Sequence, residues 1–464
     1  MWWFVGAALL LGAALILESG LLAYAMYVLL GLLVVTRLLT RSGVVALEAE
    51  RTVRRARRKG DDEDDDEETP DGLALEIGER IRVRVTVHNP GALPVLWLLL
   101  EDTLPREALD PVQPKLKVRG RRAAIGMVRP GGEIVLSYAL ECLGRGYHQI
   151  GPLVLESGDL FGLHRRFRVV AAPKFVLVYP RIVPLAGYDL ASRRPIGDVR
   201  ILHRLYEDPT RIAGVRAYQQ GDPLSRVHWR ATARTGELHS KVHEPSTLSG
   251  VTVLLDSHQA GYPRRGEPVR SELAVTAAVS LVHAVFLMGQ QVGLVTNARD
   301  AAERIRTEGW QETPASRREA RQAAADVPAS RRLTPLVVET RRGAEQFLRV
   351  REVLARAELT DGLTFAELIV ETAHRLPRDA TALAVLPDVT VETAIALGNL
   401  RRRGMAVAVI LVMLDDSGLE RAYARLLAEG VRDLRHLTNE AMLPDLCRNT
   451  VDRLAPYDFA NLGE

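Results

Sequence analysis

The pattern of hydrophobic and polar positions along the chain predicts three kinds of structure in succession. From Met1 to Thr36 the residues are largely apolar, and Glu18 is the single charged one. The stretches before and after Glu18, MWWFVGAALLLGAALIL and LLAYAMYVLLGLLVVT, are each near the shortest length of a membrane-spanning helix, about 17 residues. We therefore predict a transmembrane helical hairpin over residues 1–40, with one long bent helix as the alternative.

Basic residues follow this apolar segment at once. They are Arg37, Arg41, Arg51, Arg54, Arg55, Arg57, Arg58 and Lys59. Positively charged flanks of membrane helices stay on the cytoplasmic side. A secretory signal peptide is not indicated, because the chain starts with Trp2 and Trp3 rather than with basic residues. We expect a multi-pass protein of the cell (inner, cytoplasmic) membrane whose soluble domains face the cytoplasm.

A charged segment separates the predicted hairpin from the rest of the chain. Residues 41–70 are first basic and then acidic, ending in the run DDEDDDEE from Asp61 to Glu68. Eight consecutive acids repel one another and remain solvated, which is typical of a linker. Residues 41–70 are therefore predicted to be a linker, although a tethered polyanion can also bind a basic surface of its own chain.

Alternation with a period of two begins near Leu73. In ERIRVRVTVHN the residues Ile81, Val83, Val85 and Val87 fall on one face, and EIVLSYALE repeats the pattern. Turn sequences such as HNPGALP and VRPGGE separate these runs. Short strands with turns between them predict an antiparallel β-sandwich over residues 71–180.

Apolar strands alternate with amphipathic helices from residue 251 to residue 464. The strand-like runs include VTVLLD, QVGLVT, TALAVLPD and MAVAVILV, and stretches such as VETAIALGNLRRRG between them have helical spacing. Such alternation predicts a doubly wound α/β domain with a mostly parallel sheet. Residues 297–342 are rich in Arg, Ala, Glu and Pro and are interpreted mainly as an insertion, with LTPLVVET as a strand within it.

Between the two predicted domains, residues 181–250 contain a segment with arginines at every fourth position. In GDPLSRVHWRATARTG, Asp222 can cap a helix that Gly236 ends, so Arg226, Arg230 and Arg234 share one face. Like charges at this spacing repel unless an anion neutralises them. Acids of the same domain, the acidic run, lipid headgroups or a partner protein can each supply that anion.

A structural role competes with a binding role for each residue of this segment. Asp222 is expected to cap the helix, and Trp229 is expected to pack as its anchor, with Arg230 as the more exposed contact. Nucleic-acid binding is not predicted, because the net charge of the 464 residues is only +3. The two cysteines, Cys142 and Cys447, form no CxxC motif, so zinc-ribbon and thioredoxin functions are not indicated.

The same segment carries a resemblance to a known family. The spacing of Arg216, Tyr218, Gly221, Asp222, Arg226, His228, Trp229, Thr232, Ala233 and Arg234 resembles the signature of the bacterial domain-of-unknown-function family 58. The upstream RGYHQIGPLVLESGDLFGL and VYPRIVPL are also similar to that family, as is the order of membrane segment, sandwich, signature and α/β domain.

The resemblance implies a fold and a partner rather than a reaction. Its α/β domain is expected to be von Willebrand factor A-like. Family members accompany MoxR-type AAA+ ATPases and are thought to assist the assembly or maturation of other proteins. The implied function is therefore a non-enzymatic, membrane-anchored adaptor for such an ATPase and an unknown client. Its expected partner-binding residues are Arg216, Tyr218, Gly221, Asp222, Arg226, Trp229, Arg230 and Arg234.

A von Willebrand factor A-like fold also raises the question of a metal site. Its usual motif is Asp-x-Ser-x-Ser, but here Asp256 is followed by His258 and Ala260 in place of both serines. Asp388 follows another predicted strand and is expected to lie near Asp256, because ligand crevices form at the carboxyl ends of such sheets. A degenerate Mg²⁺ site at these two aspartates, used by a metal-dependent hydrolase, is the alternative function.

Other catalytic chemistry has little support in the sequence. The chain contains no GxSxG elbow and no Walker lysine loop, so neither a serine hydrolase nor an ATPase is predicted. The histidines His228, His239, His243 and His258 do not follow an HExxH pattern. We therefore expect no catalytic residue and no cofactor other than the Mg²⁺ considered above.

Overall fold

The structure is a computed structural model, and it describes residues 6, 12, 20–56, 73–105, 107–111, 113–158, 165–185, 206–219, 227–246, 250–308, 333–378 and 380–446. The chain forms two compact units, Met1–Pro180 with Asp300–Ser330, and Arg181–Arg299 with Arg331–Glu464. The predicted change from a β-rich half to an α/β half is thus confirmed as a division between mostly β and mixed α/β structure.

The first unit begins with a long helix and continues as strands. These elements are α1 (Gly20–Ala46), β1 (Glu48–Arg55), β2 (Leu73–Glu76), β3 (Arg80–His88), β4 (Val95–Asp102), β5 (Leu116–Gly120), β6 (Ala123–Val128), β7 (Glu133–Cys142), β8 (Gly146–Ile150), β9 (Leu153–Gly158), β10 (Arg165–Ala171) and β11 (Lys174–Tyr179). Helix α1 contains the second half of the predicted hairpin. The first half of the hairpin lies almost wholly outside the described residues.

Two four-stranded antiparallel sheets share one core in this unit, as the alternation of residues predicted. Their strand orders are β1-β3-β7-β5 and β10-β9-β4-β6, and a small third sheet has the order β2-β11-β8. Val83 and Val85 of β3 are fully buried against Leu98 and Leu100 of β4, so both sheets contribute to the core. This packing of two sheets through alternating side chains is that of a β-sandwich.

Strand β1 lies in the segment that we predicted to be a linker, so that prediction is wrong for residues 48–55. The strand pairs with β3 along its whole length, from Glu48 opposite His88 to Arg55 opposite Ile81. Arg51 and Val53 are buried while Glu48 and Glu50 are exposed. The sequence pattern did not show this alternation, because one of the buried positions is occupied by the charged residue Arg51 instead of an apolar residue. The acidic run Asp61–Glu68 lies outside the described residues.

The remaining elements lie in the second unit, except for α4 and the last residue of β16. They are β12 (Tyr206–Ala217), α2 (Trp229–Thr235), β13 (His239–Ser246), β14 (Gly250–Leu255), α3 (Val269–Leu287), β15 (Gln291–Thr296), β16 (Arg299–Asp300), α4 (Ala301–Glu308), β17 (Leu336–Arg341), α5 (Ala344–Arg356), β18 (Ala357–Glu358), α6 (Phe365–Thr372), β19 (Ala380–Leu386), α7 (Val391–Arg402), β20 (Val407–Val412), α8 (Asp416–Ala428) and β21 (Asp433–Leu437). Helix α4 falls within the later segment of the first unit.

A six-stranded sheet forms the centre of the second unit. Its order is β17-β15-β14-β19-β20-β21, and all strands are parallel except the edge strand β17. Val253 and Leu255 of β14 pack with α3 and α5 on one face, whereas Leu254 packs with α6, α7 and α8 on the other. The sheet is therefore covered on both faces, as predicted. The strand that we predicted in LTPLVVET is β17.

Among the helices whose side chains are all described, α3 is long and apolar enough to cross a membrane. Most of it is buried, and Leu281 and Val285 lie in the core of the second unit. A helix that is apolar all round is either buried in protein or embedded in lipid. Because α3 is mostly buried within the second unit, it is a core helix.

Candidate functional site

The arginine-rich segment lies beside a two-stranded antiparallel ribbon. Strands β12 and β13 pair with Arg216 opposite Ser240. Val227 forms a bridge to the same serine, and the amide of His228 donates a hydrogen bond of 2.8 Å to the carbonyl of His239. Both Val227 and Ser240 are buried, so this contact fixes the start of α2 on the ribbon.

The helix begins later than the sequence predicted. Its N-cap is His228, whose Nδ1 accepts a hydrogen bond of 3.0 Å from the amide of Ala231. Val227 bridges to Ser240 and His228 is the N-cap, so the prediction of a helix starting at Asp222 is wrong for residues 227 and 228. The predicted end is confirmed, because Gly236 is the C-cap with a left-handed φ of 77°.

The predicted site residues divide into described and undescribed ones. Arg216 is exposed at the end of β12, and the amide of Tyr218 donates to the carbonyl of Leu238 at 2.8 Å. Trp229, Arg230 and Arg234 lie on α2, whereas Gly221, Asp222 and Arg226 lie outside the described residues. Arg216 and Tyr218 therefore lie on the same ribbon that supports α2.

Trp229 is 67% exposed, so the expectation that it packs as the anchor of α2 is wrong. Arg230 and Arg234 are also exposed and occupy positions four apart on the helix. Neither makes an ion pair with a residue that the structure describes. An exposed tryptophan beside two arginines is the composition found at the energetic centres of protein interfaces.

The two predicted metal-site aspartates follow adjacent strands. Asp256 comes directly after β14 and Asp388 two residues after β19, and these two strands pair in parallel. The chain connects β14 to one half of the sheet and β19 to the other half, so both aspartates lie at the switch point where ligands bind in doubly wound sheets. The predicted proximity of the two strand ends is confirmed.

A third residue, Asn297, engages Asp256 in a way that the sequence did not predict. Its Nδ2 donates hydrogen bonds to Asp256 Oδ1 at 3.0 Å and to the Leu363 carbonyl at 2.8 Å, while its Oδ1 accepts one from the Ser257 amide at 2.7 Å. The amide of His258 also donates to Asp256 Oδ1, at 3.0 Å. The sequence signal for Asn297 is its position just after the predicted strand QVGLVT.

Burial dominates the electrostatics of this crevice. It raises the pKa of the Asp256 carboxyl above its ordinary value, and the charge of Asp388 adds to the rise. The hydrogen bonds from His258 and Asn297 act in the opposite direction without cancelling the effect of burial. The result is a buried carboxyl that ionises less readily than an exposed aspartate.

The residues present do not form a complete magnesium site. Mg²⁺ requires nearly octahedral oxygen coordination, yet Oδ1 of Asp256 already accepts two N–H donors. Within the described ranges, no group of three or more His, Cys, Asp or Glu side chains is arranged to hold a metal. His258 uses its Nδ1 to accept a hydrogen bond from the Ala260 amide instead.

These features define a class of protein: one unit is a β-sandwich, and the other is a doubly wound α/β unit that also contains a two-stranded ribbon with a tryptophan–arginine helix beside it. Residues 214–350 match the family described as "Protein of unknown function DUF58". That range runs from the end of β12 through α2 and Asp256 to α5. The resemblance read from the signature is thus confirmed, since residues 214–350 match this family.

Comparison with individual proteins gives more distant similarities. The uncharacterized protein YeaD of Bacillus subtilis (strain 168) is 25% identical over 233 residues, which are 50% of this chain and 55% of that protein. The match therefore spans about half of the relative's length.

Two solved structures are similar only at a low level. The ASH / PapD-like domain 7 of human CEP192 has a TM-score of 0.18 at 13% identity, covering 29% of this chain and 83% of that domain. Proximal thread matrix protein 1 from the mussel byssus has a TM-score of 0.28 at 9% identity, covering 43% and 46%. TM-scores of this size carry no argument about fold or function.

Proposed function

We propose that this protein is a membrane-anchored, non-enzymatic adaptor that docks a MoxR-type AAA+ ATPase and brings it to a client protein during assembly or maturation. The observation that carries the proposal is the exposed surface of Trp229, Arg230 and Arg234 on α2. These residue types dominate binding energy at interfaces, and a large aromatic side chain left in water is costly unless a partner covers it. We name this surface the α2 surface.

The von Willebrand factor A-like character of the second unit is part of the proposal. The sheet order, with one antiparallel edge strand beside five parallel ones, supports this part of the proposal.

Membrane anchoring is proposed through α1, whose 27 residues give a length of about 40 Å. Leu21, Val28, Leu30, Val34 and Val35 of this helix are exposed, which suits contact with lipid better than contact with water. Arg37 and Arg41 near the end of α1 favour a cytoplasmic position for the strands that follow.

The proposal is tested by capture of the intact protein from its native membranes with ATP and with ADP, followed by mass spectrometry. We expect an AAA+ ATPase to be recovered in amounts that depend on the nucleotide, and the co-purifying proteins nominate clients. The paired change Trp229→Ala and Arg230→Glu should reduce recovery by about tenfold or more, because each interface residue of this type contributes roughly 1–2 kcal/mol.

A charge-matched control is Arg403→Glu, an exposed arginine just after α7. This variant should capture the ATPase as the unchanged protein does. Failure to recover an ATPase with either nucleotide refutes the adaptor function. It would direct attention to Asp256 and Asp388 and to the alternative of a metal-dependent hydrolase.

A further inference from the structure

The chain enters the β-sandwich at one particular end. Glu48, the first residue of β1, pairs with His88, the last residue of β3, and His88 in turn pairs with Glu133 at the start of β7. This end therefore carries the turn from β3 to β4, residues 89–94, and the turn from β6 to β7, residues 129–132. We call it the entry end.

Asn89 holds the two turns of the entry end together. Its side chain is fully buried, and its Nδ2 donates a hydrogen bond of 2.9 Å to the carbonyl of Leu93. Its backbone accepts a hydrogen bond from Gly131 at 2.8 Å and donates one to Gly132 at 3.0 Å. The entry end is thus a fixed surface rather than two independent loops.

The junction between α1 and the sandwich is also fixed. A single residue, Leu47, separates the helix from β1, and it is buried. Arg168 Nη1 donates a hydrogen bond of 3.1 Å to the Leu47 carbonyl, and α1 packs against β4, β9 and β10. A helix joined in this way sets the direction in which the entry end faces.

The entry end exposes apolar side chains on the side of the sheet that contains β4 and β6. Leu96 near the start of β4 is 37% exposed, Met127 near the end of β6 is 50% exposed, and Leu93 in the turn before β4 is 40% exposed. Patches of this kind on a soluble surface mark contact sites. Polar residues are common in turns, so the fold does not by itself require apolar side chains at this surface.

Arginines flank this apolar surface. Arg129 is exposed directly after β6, and the side chain of Arg165 at the start of β10 is 69% exposed, 3.7 Å from Glu156. Of the acids near this end, Glu48 and Glu133 lie on the other sheet, whereas Glu156 lies on β9 beside Arg165. Apolar residues bordered by arginines match the interfacial region of a bilayer that contains anionic lipid.

We infer that the entry end of the sandwich rests on the bilayer surface, with Leu93, Leu96 and Met127 among the lipid headgroups and Arg129 and Arg165 against their phosphates. The inference rests on the proposed membrane anchoring through α1 and goes beyond it. It assigns to the sandwich a second membrane contact in addition to α1.

The test uses the full-length protein in lipid nanodiscs of phosphatidylcholine with a minority of phosphatidylglycerol and a headgroup-labelled nitroxide lipid. Single cysteines carrying a fluorophore are introduced by Leu96→Cys and Met127→Cys, in a Cys447→Ser background.

Matched controls are Ile77→Cys and Leu143→Cys, with exposures of 38% and 39%. They lie at the opposite end, where the Gly78 amide bonds to the Cys142 carbonyl at 2.7 Å. Leu30→Cys reports on α1 itself.

We expect the nitroxide lipid to quench the labels at 96 and 127 several-fold more than those at 77 and 143. The paired change Arg129→Glu and Arg165→Glu should lower the quenching at 96 and 127 and leave that at 30 unchanged. Quenching at 30 alone, or equal quenching at both ends of the sandwich, overturns the inference while leaving the anchor intact.

Two further outcomes are also decisive. Labels at 96 and 127 that are shielded from water without being quenched by lipid assign the surface to a protein neighbour and overturn the bilayer contact. Absence of quenching at 30 refutes membrane anchoring through α1, and the inference falls with it.

Discussion

The side-chain amide of Asn297 donates a hydrogen bond of 3.0 Å to Oδ1 of Asp256 at the switch point of the six-stranded sheet. The oxygen of this side-chain amide, Oδ1 of Asn297, accepts a hydrogen bond from the backbone N–H of Ser257. Asn297 thus ties the residue after β15 to the residues after β14. An N–H group directed at the carboxylate occupies a direction from which a cation would otherwise approach.

We predict that Mg²⁺, Mn²⁺ and Zn²⁺ at millimolar concentration leave the melting temperature of the protein unchanged. Ligand at 100 times its dissociation constant adds about 2.7 kcal/mol of stability, so even moderate binding is measurable. The comparison variant is Asn297→Ala, which removes one of the two N–H donors to Oδ1 of Asp256 and leaves the His258 amide as the other. A rise in melting temperature of the unchanged protein would contradict this prediction and favour the metal-dependent hydrolase.

The pKa of Asp256 gives a prediction about pH. Because burial raises that pKa, the native carboxyl binds its proton more tightly than the unfolded chain does. Its contribution to stability is therefore greatest at acid pH and falls as the pH rises from the ordinary aspartate range through the raised value. Asp256→Asn removes this loss while keeping an acceptor at Oδ1.

The expected result is that Asp256→Asn melts at a higher temperature than the unchanged protein at neutral pH, and that the two converge toward pH 4. Thermal melting across this range measures the difference. Asp361→Asn, at an exposed position, serves as the control and should show no such pH-dependent gain. A variant that is less stable at neutral pH would mean that the ionised carboxyl is needed there.

Sequence patterns predicted the elements whose apolar residues repeat regularly. The alternation of Ile81, Val83, Val85 and Val87 predicted β3, and the run VTVLLD predicted β14 and the location of Asp256. Strand β1 was not predicted, because Arg51 is buried by pairing with Asp102, a residue 51 positions away in the sequence. The pairing of distant residues is a property of the fold and leaves no local signal.

The signature segment shows the same limit. Local capping rules correctly predicted that Gly236 ends α2, since that requirement depends on one residue's φ. They did not predict its start, because the bridge from Val227 to Ser240 keeps Val227 out of the helix. The exposure of Trp229 was also unpredictable from its apolar character alone.

Gly236 provides a test of how far the α2 surface depends on its helix. With φ at 77° and open space around its α-carbon, Gly236→Ala should cost about 1 kcal/mol through backbone strain alone. We expect faster amide hydrogen exchange in residues 229–235 and weaker ATPase capture. Gly236→Asn should restore both in part, because asparagine tolerates the left-handed conformation. Unchanged capture in the alanine variant would show that binding does not need an ordered α2.

Cys142 should be chemically silent in the folded protein. It is fully buried in the sandwich core, and this burial raises the pKa of its thiol to about 12. Since the thiolate is the reactive form, we expect no maleimide labelling of the Cys447→Ser variant until denaturant is added. Labelling before unfolding would indicate that the sandwich opens locally.

The buried contact of Arg51 with Asp102 is predicted to be the most sensitive point of the first unit. Both side chains are nearly inaccessible, and Tyr138 donates a further hydrogen bond of 2.6 Å to Asp102 Oδ2. Asp102→Ala leaves the Arg51 charge buried without its partner, which costs about 3–5 kcal/mol. Tyr138→Phe removes one donor and should cost roughly 1–3 kcal/mol.

Hydrogen exchange measured on peptides from β3 and β7 reports these losses within the first unit, and peptides from β14 provide an internal reference in the second. Arg55→Ala, which breaks an exposed ion pair with Glu79, should change the free energy of opening obtained from hydrogen exchange by less than about 1 kcal/mol. Similar exchange in the Asp102 and Arg55 variants would show that Arg51 reaches solvent or another acid when its partner is removed. The stability of β1, and with it the fixed junction to α1, would then not depend on Asp102.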